Sequence, residues 1–378
     1  NYKVIMSIAI AREQYAAILD MHPKPSIAMF SSEQARTSWE KRQAHPYLYR
    51  LLEIIWGVVK FLLGLIFFIP LGLFWVLQKI CQNFILLGAG GWIFRPICRD
   101  SNLLRQAYAA RLFSASFQDH VSSVRRVCLQ YDEVFIDGLE LRLPNAKPDR
   151  WMLISNGNSD CLEYRTVLQG EKDWIFRIAE ESQSNILIFN YPGVMKSQGN
   201  ITRNNVVKSY QACVRYLRDE PAGPQARQIV AYGYSLGASV QAEALSKEIA
   251  DGSDSVRWFV VKDRGARSTG AVAKQFIGSL GVWLANLTHW NINSEKRSKD
   301  LHCPELFIYG KDSQGNLIGD GLFKKETCFA APFLDPKNLE ECSGKKIPVA
   351  QTGLRHDHIL SDDVIKEVAG HIQRHFDN

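Results

Sequence analysis

One run of residues constrains this chain more than any other. Gln228-Ile229-Val230-Ala231-Tyr232-Gly233-Tyr234-Ser235-Leu236-Gly237-Ala238-Ser239-Val240 is an apolar strand that enters a Gly-x-Ser-x-Gly turn and leaves as a helix. In such a turn the strand ends at the first glycine and the serine takes a strained backbone position that lifts its hydroxyl off the top of a sheet. Small residues two before and two after let strand and helix approach. The context agrees on both sides: Ile229 to Tyr232 reads as a buried strand and Ala238 to Ile249 as a helix. Ser235 is therefore read as a nucleophile. A serine hydroxyl is weak at its own pKa, so this reading demands a histidine base, an acid that orients the histidine, and N–H donors for an oxyanion.

The chain around the turn alternates strand and helix. Val127 to Leu143 reads as a β-hairpin turning at Asp137-Gly138. Further strands are expected at Trp151 to Ser155, Asn185 to Asn190, Val256 to Val261, Glu305 to Tyr309 and Lys346 to Ala350. Helices are expected at Leu162 to Glu181, Asn204 to Arg218, Ala271 to Ala285 and Asp362 to His375. That alternation predicts the α/β class, a mostly parallel sheet flanked by helices, over residues 127–378. A length of 378 residues with 46% hydrophobic content is enough for one such domain plus an extension.

The extension divides into a mixed N-terminal segment (1–50), a hydrophobic segment (51–94) and a basic, helix-prone connector (95–126). Ile5 to Met21 looks like a short amphipathic helix, followed by Pro23, Pro25 and a polar stretch through Arg50. Ile54 to Leu77 holds only Lys60 as a charge, and a transmembrane helix needs roughly 20 apolar residues. Phe84 to Phe94 is shorter and contains Gly88, Gly90 and Gly91. Basic residues flank both ends, with Lys41, Arg42 and Arg50 before and Arg95, Arg99 and Arg105 after. Of one span or a hairpin, this favours the hairpin, which leaves the N-terminal segment and the α/β domain together on the cytosolic side of a membrane, whereas a single span would put one basic flank on the wrong side. The chain begins at Asn1 rather than at a methionine, so its natural start is expected upstream, and nothing in its first twenty residues has the form of a secretory signal.

Composition narrows the partners. With 45 basic against 39 acidic residues, a net charge of +6 and no Lys/Arg run longer than two, nothing suggests a nucleic acid. The eight cysteines (Cys81, Cys98, Cys128, Cys161, Cys213, Cys303, Cys328 and Cys342) form no Cys-x-x-Cys pair and no metal spacing. Free thiols in a reducing compartment are expected, with no metal and no cofactor.

The groups that Ser235 needs occur in the order serine, acid, histidine. After the strand Glu305 to Tyr309 comes Gly310-Lys311-Asp312-Ser313, which makes Asp312 the preferred acid; Asp263, after the preceding strand, is the fallback. After the last strand comes Gly353-Leu354-Arg355-His356-Asp357-His358, with His356 as the base and His358 as its rival. His371 and His375, on the final helix, are read as solvent-facing. The N–H of Leu236, with Gly157 or Asn158, is assigned to the oxyanion. Gln314 to Lys345 is long for a simple connection, and with Leu317, Leu322, Phe323, Phe329 and Phe333 it reads either as a lid or acyl groove or as a surface insertion.

Several blocks beyond the turn resemble the α/β-hydrolase superfamily. Ser155-Asn156-Gly157-Asn158-Ser159 is similar to the His-Gly-Asn-x-Gly oxyanion loop of membrane-associated serine hydrolases, including protein depalmitoylases. Asn190-Tyr191-Pro192-Gly193-Val194-Met195-Lys196-Ser197-Gln198-Gly199 is similar to their Tyr-Arg-Gly-Tyr-Gly-x-Ser-x-Gly stretch, and Cys303 to Gly310 to the strand ahead of the acid. An uncharacterised hydrolase-like family of chlamydia-type intracellular bacteria has a similar layout. The resemblance covers residues 127–378 and implies the α/β-hydrolase fold. It also implies a Ser-His-Asp mechanism on acyl esters or thioesters of a lipid or lipidated protein. Three departures stand out: Asn156 replaces a histidine, Pro192 replaces an arginine, and Ser313 sits where the family acid usually stands. The displaced acid and the altered oxyanion loop motivate an alternative, a catalytically inactive scaffold that serves as a membrane-bound interaction module.

Overall fold

The fold is built on one nine-stranded sheet, seen in a computed structural model that describes residues 13–20, 23–67, 76, 101–158, 160–248 and 255–378. The strands are β1 (Ile27–Met29), β2 (Ser123–Tyr131), β3 (Val134–Arg142), β4 (Arg150–Ser155), β5 (Asn185–Phe189), β6 (Gln228–Tyr234), β7 (Arg257–Asp263), β8 (Glu305–Lys311) and β9 (Lys346–Thr352). Their spatial order is β1-β2-β3-β5-β4-β6-β7-β8-β9. Only β3 runs antiparallel to its neighbours β2 and β5; β5 through β9 are parallel, which brings the carboxyl ends of β6, β7, β8 and β9 to one edge. Loops at that edge carry the site.

The central strands are buried on both faces, as a helix-covered parallel sheet requires. Side chains alternate between two cores. Met152 and Ile154, Val230 and Tyr232, and Phe259 and Val261 face one core with the helices Trp174–Glu181 and Asp362–Asp377. Trp151 and Leu153, Ile229 and Ala231, and Trp258 and Val260 face the other with the helices Arg203–Arg218 and Leu236–Glu248. Each large apolar side chain fully buried this way contributes about 1.5–3 kcal/mol of transfer free energy.

Several expectations are corrected. The β2–β3 hairpin turns at Asp132, whose φ is 50°, and Glu133, whereas Asp137 and Gly138 lie inside β3 opposite Cys128 and Val127. Asp137 is a buried charge partner: its carboxylate accepts from Arg126 Nε at 2.6 Å and Arg105 Nη1 at 3.1 Å. A Cβ at Gly138 would lie 3.1 Å from the Ile188 carbonyl, so the glycine serves a close strand approach rather than a turn. The helical stretch Leu162 to Glu181 breaks at Gly170, whose φ is 54°. The connector is part of the domain, because its helix Ser101–Leu112 buries Tyr108, Ala109 and Leu112 in the first core. Within the polar N-terminal segment, β1 pairs with β2, and Ser31 donates its N–H and hydroxyl to Asp132.

The expected membrane crossing is not seen among the described residues. The helix Pro46–Phe67 carries exposed apolar side chains such as Tyr47, Trp56 and Phe61. Among the described residues no helix is long and apolar enough to cross a membrane, because every 18-residue stretch of this one contains Arg50, Glu53 and Lys60. Phe84 to Phe94, and 68–77 apart from Val76, lie outside the described residues, as do Cys81 and Cys98. The other six cysteines are free.

Candidate active site

At the carboxyl end of β6 the chain makes the turn that the glycines permit. Ser235 has φ 54°, a left-handed conformation rare for a non-glycine residue. Its N–H donates to the Asp263 carbonyl at 2.9 Å, which holds the strained residue in place. A Cβ at Gly233 would lie 2.6 Å from Ala238 Cα, and one at Gly237 only 2.0 Å from the Ser155 carbonyl oxygen. Both glycines are therefore steric requirements of the crossing.

His356, in the loop after β9, reaches across to this serine. Its Nε2 lies 2.9 Å from Ser235 Oγ, and its Nδ1 lies 2.6 Å from Oδ2 of Asp320. An ionised carboxylate only accepts, so the Nδ1 proton faces Asp320, Nε2 is left as an acceptor, and the Ser235 hydroxyl donates to it. That is the tautomer a general base needs.

The acid on His356 is thus Asp320, neither Asp312 nor Asp263. After β8 the chain folds back on itself: Asp312 N–H donates to the Asn316 carbonyl at 2.9 Å, Ile318 N–H to the Gly310 carbonyl at 3.0 Å, and Lys311 bridges Leu317. This short return brings Asp320 to the sheet edge. The buried Asp320 carboxylate accepts the N–H groups of Leu322 at 3.0 Å and Phe323 at 2.7 Å through Oδ1, which leaves Oδ2 for the imidazole. His356 N–H also donates to the Asp320 carbonyl at 2.7 Å. Asp312 instead closes the return, with Oδ1 accepting from Gln314 N–H at 2.9 Å and Asn316 N–H at 2.8 Å. Those bonds, the Asn316 side chain's first, hold its carboxyl below the usual range. The available signal for Asp320 was its place before Gly321, whose φ of 93° makes a tight Asp-Gly turn, still within the serine, acid, histidine order.

Asp263 has a different task. It is fully buried, and its carboxylate accepts from Arg264 Nε at 2.7 Å and Nη2 at 2.9 Å, Trp174 Nε1 at 2.9 Å and Tyr232 Oη at 2.8 Å. Burial pushes its pKa up, but Arg264 and these donors outweigh the desolvation and leave it below the ordinary value. Arg264 in turn donates Nη1 to the carbonyls of Arg355 at 3.1 Å, His356 at 3.0 Å and His358. Sequence reasoning missed this clamp on the histidine loop. The imidazole is further fixed by the Tyr234 ring at 5.5 Å and by the Phe323 ring edge-on at 4.9 Å, while Tyr234 Oη donates to the His356 carbonyl at 2.6 Å. Burial pushes the Tyr234 hydroxyl up to about 12, so it stays a donor. His358 has an exposed side chain, and only its main chain joins the clamp. His371 and His375 are half-buried rather than solvent-facing; the His375 ring packs 5.5 Å from Phe259.

The oxyanion candidates lie beside Ser235. Leu236 opens the helix Leu236–Glu248, where N–H groups lack intrahelical partners and the helix dipole favours negative charge. Gly157 faces it: a Cβ there would lie 3.4 Å from Ser235 Cβ and 3.1 Å from Tyr234 Cδ1. The loop is pinned by Tyr191 Oη, 2.5 Å from Ser155 Oγ and donating to the Asn156 carbonyl at 3.2 Å. Asn158 follows Gly157 in that loop. The Asn156 side-chain amide is buried, and among the described residues neither its oxygen nor its nitrogen has a hydrogen-bond partner. Among the described residues no cluster of His, Cys, Asp or Glu is arranged to hold a metal.

Comparison with known proteins places this architecture. The family described as "Chlamydia CHLPS protein (DUF818)" matches residues 16–377. Among solved structures, an esterase from Pyrococcus furiosus superposes with a TM-score of 0.50 at 18% identity, over 69% of this chain and 93% of that one. An alpha-beta hydrolase from Vibrio vulnificus gives a TM-score of 0.50 at 17% identity, over 72% of this chain and 92% of that one. At such identities the likeness establishes the α/β-hydrolase fold. No curated protein matches the chain.

Proposed function

Because the chain belongs to the Chlamydia CHLPS protein family (DUF818) and has the α/β-hydrolase fold, we propose that it is a serine hydrolase acting on acyl esters or thioesters. The observation that carries this is the unbroken chain from Asp320 through His356 to Ser235, at 2.6 and 2.9 Å. In the first half-reaction Ser235 Oγ attacks the acyl carbonyl carbon as its proton passes to His356 Nε2. The imidazolium is stabilised by Asp320, and the oxyanion is held by the N–H of Leu236 with that of Gly157 or Asn158. His356 then gives the proton to the departing alcohol or thiol, which leaves an acyl-Ser235. In the second half-reaction His356 takes a proton from water, the hydroxide adds to the acyl carbon, and the acid departs as Ser235 regains its proton.

The scaffold alternative drew its motives from a displaced acid and an altered oxyanion loop; Asp320 on His356 Nδ1 answers the first, and the backbone N–H groups of the loop, which Asn156 does not remove, answer the second. The finer reading keeps a lipid-like or lipidated substrate and a cytosol-facing domain held at a membrane by the apolar N-terminal segment, as its composition suggests. The test is turnover of p-nitrophenyl acyl esters and acyl thioesters by purified protein. Hydrolysis that vanishes in Ser235→Ala and in His356→Ala supports the reading; turnover that survives Ser235→Ala overturns it.

A further inference from the structure

The connection that follows β7 ends in an exposed apolar face that the proposed chemistry does not use. The helix Thr269–Leu287 is two helical segments meeting at Ile277 and Gly278, with Gly278 at φ 65° and ψ −151°, a region open in practice only to glycine. Its first segment is anchored, since Val272 packs on the cluster of Ala266, Phe323 and Cys328. Beyond that anchor Phe276, Leu280 and Trp283 stand 61%, 59% and 55% exposed, with Ile277 between them. Gln275 ties this helix to the acid loop, donating Nε2 to the Leu322 carbonyl at 2.8 Å and accepting the Lys324 N–H at 2.9 Å. The exposed Leu322 therefore lies beside the same helix, and Phe323, one residue on, carries the ring that packs edge-on against His356.

Charge says what this face meets. The helix contains no acidic residue, and its one charge is Lys274. Lys274, Lys324 and Lys325 are exposed, and none is ion-paired among the described residues; Glu326 is the one acid beside them. A stripe of aromatic and aliphatic side chains rimmed by lysines has the make-up of an interfacial helix, whose apolar face enters the headgroup–acyl boundary while lysines meet anionic headgroups. Aromatic anchors with a polar rim also suit a protein partner, and it is the excess of lysine over acid beside this face that favours an anionic bilayer.

We propose that this face docks the catalytic domain on an anionic lipid bilayer, so that the mouth of the Ser235 site opens against the membrane. The proposal rests on the hydrolase reading for its purpose, not for the docking itself. It differs from the N-terminal segment in lying on the catalytic domain, two hydrogen bonds from the loop that carries the acid.

The test uses the full chain with vesicles of brominated phosphatidylglycerol or brominated phosphatidylcholine. Wild-type tryptophan fluorescence should be quenched more by the anionic vesicles, and Trp283→Phe, which leaves the surface apolar, should lose a distinct share of that quenching. Leu280→Ser/Trp283→Ser should weaken partitioning by about a hundredfold or more, the effect expected when two large apolar side chains no longer enter the bilayer. Lys274→Glu/Lys324→Glu/Lys325→Glu should abolish the preference for the anionic lipid. Identical quenching of wild type and Trp283→Phe overturns the docking, and equal quenching by both lipids overturns the anionic specificity. If the double serine variant lowers the mass seen by light scattering and leaves vesicle binding intact, the face joins two copies and the proposal fails. Covalent labelling of Ser235 on the same samples separates the two readings, since docking with an unreactive serine defeats the hydrolase assignment alone.

Discussion

Replacing Asp320 with asparagine tests the acid assignment with little disturbance of shape. Oδ1 of the new amide still accepts the N–H groups that Leu322 and Phe323 donate to Asp320 at 3.0 and 2.7 Å, so the loop stays closed. What changes is the atom 2.6 Å from His356 Nδ1, which becomes an N–H donor. The imidazole must then accept at Nδ1 and carry its proton on Nε2, where it faces Ser235 and has no lone pair to receive the hydroxyl proton. The loss also removes the charge that stabilises the imidazolium in a buried site. Together these predict a fall in kcat of about 10³–10⁴, equivalent to about 4–5.5 kcal/mol of transition-state free energy. Asp312→Asn should stay within about threefold of wild type, as expected for a surface substitution away from the chemistry. Both are read in steady-state ester hydrolysis, with circular dichroism as the folding control. If folded Asp320→Asn keeps more than a tenth of the activity, or if Asp312→Asn alone destroys it, the assignment of Asp320 is wrong.

Other consequences follow from the same geometry. Gly237→Ala puts a methyl 2.0 Å from the Ser155 carbonyl oxygen, and should cost about 1–3 kcal/mol or more in chemical denaturation because backbone must move. Asp263→Asn should destabilise by about 3–5 kcal/mol by leaving Arg264 buried without its counter-charge, and the melt should show it before any kinetic effect is interpreted. The Asp263 carboxyl is depressed in the folded state, so the stability it confers is present above its unfolded pKa and is lost as pH falls from about 4 through the folded value. Denaturation midpoints across that acid range should slope less steeply in Asp263→Asn than in wild type. Arg264→Gln, which frees the carbonyls of Arg355, His356 and His358, should lower kcat far more than it alters KM, since it loosens the base and leaves the binding surface in place.

The parts of the molecule governed by local rules could be read in the sequence. The glycines flanking Ser235, the two-residue alternation of the central strands and the order serine, acid, histidine are each consequences of sterics or pleat that neighbouring residues record. What escaped depends on contacts across the fold. Asp137-Gly138 has turn chemistry, yet Arg105, distant in the chain, claims the carboxylate, and the approach of β5 claims the glycine. Asp312 stands where a strand-end acid is expected, but the hairpin return after β8 carries the chain back to the edge at Asp320. Asp263 follows a strand as an acid should, and the neighbouring Arg264 converts it into the anchor of a clamp.

Reaction of the purified protein with a fluorophosphonate, followed by mass spectrometry of the modified peptide, tests the central claim most directly. A single adduct on Ser235, absent from Ser235→Ala and strongly slowed in His356→Ala, is the predicted result. Equal labelling of wild type and Ser235→Ala, or no labelling of folded wild type under conditions that modify known serine hydrolases, would contradict it.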